Sequence, residues 1–421
     1  MAFEYNTQQK VQQSKKKRFN IILILLITIA IDDMGMGLVF PIISDLFMSS
    51  TSLIIPEGAS SAFRHLTYGI AMGVWPLGIF LGSAILGKLS DSYGRKKLLI
   101  LALFGTAIAY ILSIFSMVFG NLTLFILSRF LVGGFGGSFA IAQTMILDLT
   151  ESDEKPKYIG LITLAASIGT VIGPFLTTVL VYFLDGFYGM ISPFVAEAIL
   201  SSIAAILILF LVPDTYIAKK VRLKLLDVIF SFRIIFFDKR TVILAISLLL
   251  LQTGWSLYVE SLPLILDQHF LISPSGIGLY FTLFSLGFVF ANLVLQKILF
   301  RKLSLKKIMM SMSLFLSILL MISSLYINLT LTTVVVFLGA SFQILFYTAL
   351  ITSISRSVTE SEQGVFMGGT NSIFGIAWSV NAIIIGLLVN LSLFAPVFLS
   401  SILVAMAGLI FIGRKNLYKS N

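Results

Sequence analysis

Residues 20–47 read NIILILLITIAIDDMGMGLVFPIISDLF, an almost wholly apolar run broken by a pair of acids, two spaced glycines and a proline. A helix through this run is long enough to cross a bilayer, and at 1.5 Å per residue it carries Asp32 about 18 Å from Asn20, near mid-membrane. A carboxylate at that depth costs about 3 kcal/mol on insertion scales, so it is expected to face an interior cavity or a partner charge. An acid that exchanges a proton inside such a cavity is machinery for moving something across the membrane. Asp32 and Asp33 stand about 100° apart around a helix, so they are not expected to point squarely at one partner.

The rest of the 421-residue chain has the same character: 58% of residues are hydrophobic and only 11% charged, which excludes a soluble globular protein. Twelve apolar runs are long enough to span, at about 20–46, 66–86, 98–118, 122–147, 157–183, 190–213, 241–266, 275–299, 306–328, 331–353, 364–390 and 393–413. Of the 29 Lys and Arg, all but Arg64 and Arg129 fall in the tails and in alternate connections. That asymmetry places both termini in the cytoplasm, and it assigns the net charge of +10 to anionic lipid headgroups rather than to nucleic acid. No cysteine occurs, so thiolate metal sites and disulfides are excluded. Asn121-Leu-Thr, Asn328-Leu-Thr and Asn390-Leu-Ser have the pattern of glycosylation triplets but lie too close to the membrane for that use.

The chain divides in two. Residues 1–18 form a polar tail, expected to be disordered and held to the inner leaflet by Lys15, Lys16, Lys17 and Arg18. Residues 19–213 hold six spans, 214–240 a basic linker in which residues 223–237 can lie at the interface as an amphipathic helix, 241–413 six more spans, and 414–421 a short tail. The halves echo each other: Arg95-Lys96-Lys97 returns as Leu305-Lys306-Lys307, Thr150-Glu151-Ser152 as Thr359-Glu360-Ser361, and Phe40-Pro41 with Asp45 as Leu262-Pro263 with Asp267. The fold class is therefore an all-α membrane protein of twelve transmembrane helices in two pseudo-symmetric six-helix bundles. Six plus six spans as parallel repeats is the arrangement of major facilitator transporters, with substrate held between the halves near the midplane.

Gly87-Lys-Leu-Ser-Asp91-Ser-Tyr-Gly94-Arg95-Lys96 after the second span closely resembles the GxLxDxxGRK signature of the major facilitator superfamily. Gly94 permits a tight turn, and the resemblance implies that Asp91 meets the N-terminus of the eleventh span near Gly364. Such a contact latches the cytoplasmic side, and Asp148 at the inner end of the fourth span is a candidate partner for Arg95. Arg129-Phe-Leu-Val-Gly133-Gly-Phe-Gly-Gly137 resembles the family's RxxxGxxxA/G pattern, in which the glycines bring helices close. Arg129 is expected to pair with the first span, through an acid or helix carbonyls. Gly169-Thr-Val-Ile-Gly173-Pro174 resembles the antiporter motif of drug:proton exporters, although Thr177 and Thr178 stand where that family has glycines. Asp32, Gly35, Gly37 and Pro41 resemble the DxxGxGxxxP motif of the same branch, which includes tetracycline efflux proteins. The chain thus resembles a drug:proton antiporter of the major facilitator superfamily.

That resemblance implies a cavity lined by spans 1, 4, 7 and 10. It makes Gly37, Gln143, Gln252, Trp255, Tyr258, Gln343 and Tyr347 candidate cavity residues, while Asp32, Asp33, Arg129 and Glu260 are the candidates for proton coupling. Glu197, in a span peripheral to the family fold, reads as a packing residue. The two histidines, His65 and His269, lie near outer loops, which argues against a histidine relay. No nucleotide-binding loop, metal-ligand set or nucleophile elbow occurs in the sequence, so no enzyme activity, cofactor or metal is expected.

The expected function is export of amphipathic or cationic organic compounds, driven by protons through alternating access, by a monomer in a bacterial inner membrane. The expected partners are a small organic substrate, protons and the lipid bilayer. A transporter dedicated to one metabolite, with Arg129 as an anion ligand, is the first rival. A non-transporting membrane sensor or scaffold is the second.

Overall fold

The computed structural model describes residues 2–151, 153–213, 233–359 and 362–413. Among these, twelve helical units follow one another: α1 (Ala2–Met48), α2 (Ser61–Tyr93), α3 (Arg95–Val118), α4 (Leu122–Asp148), α5 (Lys155–Phe183), α6 (Gly186–Leu211), α7 (Val242–His269), α8 (Pro274–Lys302), α9 (Leu305–Leu325), α10 (Leu329–Arg356), α11 (Gln363–Leu388) and α12 (Ala395–Leu409). In lipid each backbone N–H and C=O must find its partner within the chain, and helices satisfy that requirement segment by segment. Eleven of the described helices are long and apolar enough to cross a membrane. The apolar helix α12 has only 15 residues, about 22 Å of rise, and is shorter than the span expected at 393–413.

Several expectations shift. The polar N-terminal segment is helical from Ala2, because its Gln and Lys residues are good helix formers and no glycine or proline interrupts it before Gly35. The fourth span is not continuous: its helix stops at Phe135, turns at Gly136 and Gly137, and restarts at Ser138. Most of the expected interfacial helix in the linker, and the C-terminal tail, lie outside the described residues; residues 233–237 are helical. Asn121 and Asn328 are helix N-caps, accepting from the backbone N–H of Leu124 at 2.9 Å and of Leu331 at 3.2 Å. Capping therefore accounts for two of the Asn-Leu-Thr triplets.

Helices α1 to α6 form one bundle, with α1 packed on α5 and α6, α2 on α4, and α3 on α4 and α6. Helices α7 to α12 form the other, with α7 packed on α11 and α12, α9 on α10 and α12, and α8 on α10. Two long helix pairs join the bundles, α2 with α11 and α5 with α8. The first pair depends on small residues: a Cβ added at Gly73 would stand 2.7 Å from the Ser379 carbonyl oxygen, so the backbones touch there.

The polar contacts that tie the halves together run from mid-level to the end of the bundles that holds the α1–α2 loop. Ser44 of α1 donates to Asp267 of α7 at 2.5 Å, and the Tyr68 hydroxyl of α2 donates to the Glu260 carbonyl at 2.6 Å. His65 Nδ1 lies 2.8 Å from Asn390 Oδ1, and Gln268 Nε2 lies 3.3 Å from His65 Nε2. Thr178 donates to the Ser275 carbonyl at 3.2 Å, and lower down Ser285 donates to the Thr170 carbonyl at 2.7 Å. The two threonines that replace the glycines of the antiporter motif are thus put to use, since Thr177 also donates to the Leu38 carbonyl at 2.8 Å.

Gly73→Leu is expected to force α2 and α11 apart and destabilise the fold by about 1–3 kcal/mol, the usual cost of overpacking. Thermal unfolding in detergent reads this directly, and an unchanged midpoint would contradict the close-packed α2–α11 seam.

Candidate functional site

Between the bundles lies a cavity of about 390 Å³. Its N-terminal wall is α1 with Asp32, Asp33, Met36, Gly37 and Phe40, joined by Trp75 and Ile79 of α2 and by Thr170 and Pro174 of α5. The facing wall comes from α7 (Gln252, Trp255, Val259), α8 (Phe281, Phe284, Ser285, Phe288), α10 (Gln343, Ile344, Tyr347) and α11 (Phe374, Trp378). Aromatic rings touch along the cavity: Trp255 stacks on Phe284 with centroids 5.6 Å apart, Phe374 meets Trp378 at 5.0 Å, and Phe40 meets Phe281 across the halves at 5.2 Å.

The acids are placed by helix packing. Gly37 lies so close to Pro174 that a Cβ there would stand 2.5 Å from the proline Cδ, and one on Gly173 would stand 2.6 Å from the Met34 carbonyl oxygen. These contacts press α5 into α1, as the antiporter-motif resemblance implies, and fix the rotation that turns Asp32 and Asp33 toward the cavity. Gly169 sits against Ala30 and the Asp33 side chain in the same seam.

The break in α4 gives Asp32 a partner. The second segment of α4, Ser138–Asp148, begins beside it, and the carboxylate accepts from the Ser138 hydroxyl and faces the Phe139 backbone N–H. A helix N-terminus has unpaired N–H groups and favours negative charge. The position is the one seen where discontinuous membrane helices present a terminus to an ion or substrate. Asp33, its neighbour, has Oδ2 buried without a protein partner. Gln252 Oε1 and Trp378 Nε1 are unpartnered in the same cavity, so two acceptors and one donor remain open to a ligand.

Of the residues expected to line the cavity, Gly37, Gln252, Trp255, Gln343 and Tyr347 do so, together with both aspartates. Gln143 does not, because α4 meets the cavity acid only through its break. Tyr258 also stays behind the wall, packed on Trp255 with ring centroids 5.5 Å apart. Glu260 is buried at 1% exposure beside Tyr68 rather than in the cavity lining. Arg129 does not pair directly with α1: its guanidinium lies over the Trp75 ring at 5.9 Å with Nε and Nη1 unpartnered, and the neighbouring Tyr110 donates to the Gly35 carbonyl of α1 at 3.2 Å. The expected four-span lining is therefore incomplete, since α2, α5, α8 and α11 supply much of the wall. The spacing of Phe281, Phe284 and Phe288 on one helical face, and of Phe374 and Trp378 four residues apart, was the available signal.

At the end of the bundle where α2 turns into α3, Arg95 pairs with Asp148 and also donates to the Thr144 carbonyl at 3.3 Å. Gly94, at φ 100°, makes the turn between α2 and α3, and Lys96 donates to the Leu209 carbonyl at 2.9 Å. Gly87 has open space around its Cα, and the Asp91 side chain lies outside the described residues. In the other half Arg240 bonds Asp238 and Glu362, at 3.0 Å to Glu362 Oε1. Its guanidinium, with two donors from Thr359, holds the Glu362 carboxyl at about 2, so this clasp stays ionised throughout the physiological range.

Comparison with known proteins places this architecture. The family model described as Major Facilitator Superfamily matches residues 23–265 and 244–419. Among curated proteins, the tetracycline resistance protein, class H, of Pasteurella multocida is 33% identical over 202 residues, 47% of this chain and 45% of that protein. The class C protein of Escherichia coli is 28% identical over 200 residues, covering 48% and 46%, and multidrug resistance protein 2 of Bacillus subtilis (strain 168) is 28% identical over 210, covering 49% and 47%. The chain thus spans about half the length of the curated relatives it matches. Among solved structures, a D-xylose-proton symporter superposes with a TM-score of 0.73 at 13% identity, over 93% of this chain and 98% of that one. The human organic anion transporter MFSD10 (TETRAN) superposes at 0.69 with 16% identity, over 94% and 99%.

Because Asp32 caps a helix as well as facing the cavity, its substitutions should separate. Asp32→Asn keeps an acceptor for Ser138 and is expected to unfold like the unaltered protein, whereas Asp32→Leu strands a buried donor and should cost about 1–3 kcal/mol. Equal melting of the two variants would argue against the cap.

Proposed function

The chain belongs to the Major Facilitator Superfamily, and on that premise we propose that it is a proton-coupled exporter of amphipathic or cationic organic compounds. The observation that carries this reading is the position of Asp32. It sits mid-membrane in an aromatic cavity, held by the start of a broken helix, so a single carboxylate is shared among substrate, proton and α4. Burial among Phe40, Trp255, Phe281, Phe284 and Trp378 suits a large apolar body, and the two aspartates suit a cation or a donor-rich edge.

In the proposed cycle the halves rock about the cavity. In it the contacts between Ser44 and Asp267, and among His65, Asn390 and Gln268, hold the outer side closed while substrate loads from the cytoplasm. Once the halves have rocked outward, a proton arriving from outside neutralises Asp32, removes its attraction for a bound cation, and weakens its hold on Ser138 and Phe139. Substrate leaves outward, the halves return, and the proton departs inward as the carboxylate recaps the helix. One proton crossing with the gradient supplies about 2.3 kcal/mol per 100 mV and about 1.4 kcal/mol per pH unit, enough for a concentration ratio of roughly ten- to a few hundred-fold. Both termini lie on the cytoplasmic side of a bacterial inner membrane, and the working unit is a monomer. Arg129 lies over Trp75 and stands outside the cavity lining, which supports this reading over an anion carrier that would use it as a ligand.

Tetracycline is the first compound to test, because several relatives bear that name. Cells expressing the chain are expected to tolerate more of it, and everted vesicles to release protons when it is added. Asp32→Asn should abolish both at unchanged protein level. If Asp32→Asn still exported, the proton would have to be carried elsewhere, at Asp33 or Glu260.

A further inference from the structure

Behind α1, away from the cavity, lies a second group of buried ionisable side chains. Glu197 of α6 is 1% exposed; its Oε1 accepts from the Ser201 hydroxyl at 3.1 Å and its Oε2 has no partner. Arg129 of α4 is 2% exposed, with Nε and Nη1 unpartnered. No direct ion pair joins the two among the described residues. Tyr110 of α3 lies near both: its hydroxyl donates to the Gly35 carbonyl at 3.2 Å, and it converges with Glu197 on the same face of α1. A Cβ on Gly35 would lie 2.8 Å from the Tyr110 hydroxyl and 3.6 Å from Glu197 Oε1. Gly35 is thus the window through which this group meets α1, one turn beyond Asp32.

We propose that Glu197 is a second proton-binding site of the transport cycle, set against α1 at Gly35 beside the Tyr110 hydroxyl, one turn from the cavity acid Asp32. The proposal rests on the proton-coupled reading above. A buried ion without a partner costs several kcal/mol, so structural packing alone would favour a neutral residue at position 197. The arrangement gives Glu197 two workable states. As a carboxylate it accepts from Ser201, with Arg129 beyond Tyr110; as an acid it carries a second proton, beside the one that Asp32 takes, on its unpartnered oxygen. The helices packed against α6 are α3, α1 and α5. The ionisable groups near Glu197 are Tyr110 from α3 and Asp32 from α1, with Arg129 of α4 beyond Tyr110; α5 has no titratable residue between Tyr158 and Tyr182. The proton enters as an O–H bond formed on Glu197, comes from the cavity where Asp32 is the nearest acid, and leaves by the same route.

The test uses the full chain in liposomes and two measurements. In pH-difference infrared spectra taken without any transported compound, Glu197→Gln is expected to remove one titrating carboxylic-acid carbonyl band and Asp32→Asn a different one. Glu197→Asp should retain a shifted band, and Tyr110→Phe should displace the Glu197 band by removing the hydroxyl that meets α1 beside it at Gly35. In tetracycline-driven proton release, Glu197→Gln should lower the proton-to-tetracycline ratio by one. A Glu197→Gln spectrum identical to that of the unaltered protein, from a variant that melts normally, would overturn the proposal, as would an unchanged ratio. Should Glu197→Gln fail to fold, the Glu197→Asp and Tyr110→Phe spectra decide by whether a band moves. If the unaltered protein moves no tetracycline, the exporter reading is what fails for that compound, and the infrared bands still decide whether Glu197 titrates.

Discussion

A carboxylate inside a membrane must be held by something, and here it is held by the start of a helix. The hydrogen bond from Ser138 to Asp32, and the Phe139 N–H that faces the same carboxylate, depend on α4 being broken at Gly136 and Gly137. They depend equally on α5 pressing α1 into place through Gly37, Gly173 and Pro174. Loss of either would leave a buried charge or a buried N–H unpaired. Both groups of glycines therefore serve one pairing, and the cavity forms on the side of α1 that this pairing leaves open.

The fold was legible because lipid imposes simple rules. Spans must be apolar for about 20 residues, cations collect on the inner side, and turns require residues such as Gly94. These are one-dimensional constraints, readable along the chain. The latch residues Arg95 and Asp148 were legible for a similar reason, since each stands at a helix end with few other partners available. The N-terminal segment misled because a polar composition was taken for disorder, whereas Gln and Lys also suit a helix.

The cavity was legible only in part. Polar residues in apolar spans stand out, so Asp32, Asp33, Gln252, Gln343 and Tyr347 were found. Phenylalanine does not stand out in a membrane protein, because lipid and cavity both accept it, and Phe281, Phe284 and Phe288 were missed for that reason. The glycines at 133–137 show a different limit. Gly133 is a packing residue against Trp75, while Gly136 and Gly137 end a helix, and the one-letter pattern is the same for both uses. Which glycine breaks the helix is decided by the acid on α1 that the break must face, a tertiary fact.

Arg129 shows how such a pairing extends beyond the cavity. The corresponding position in the second half is Leu338, so the repeat does not require a cation there. A guanidinium buried over Trp75 without pairing directly with α1 adds nothing to the cavity wall, yet it fixes positive charge beside the helix that carries the aspartates. That charge is permanent, because arginine does not give up its proton in a protein. The acids around it are what can change, and they sit on α1 and α6, the helices that meet at Gly35. In the proposed cycle, a rocking motion that alters the α1–α6 contact alters the surroundings of both acids. The C-terminal wall of the cavity, built from aromatic rings and amides, offers a substrate contact but no matching fixed charge. On this reading the two halves divide the labour: one carries the charge that the gradient acts on, and the other carries the surface that grips the cargo.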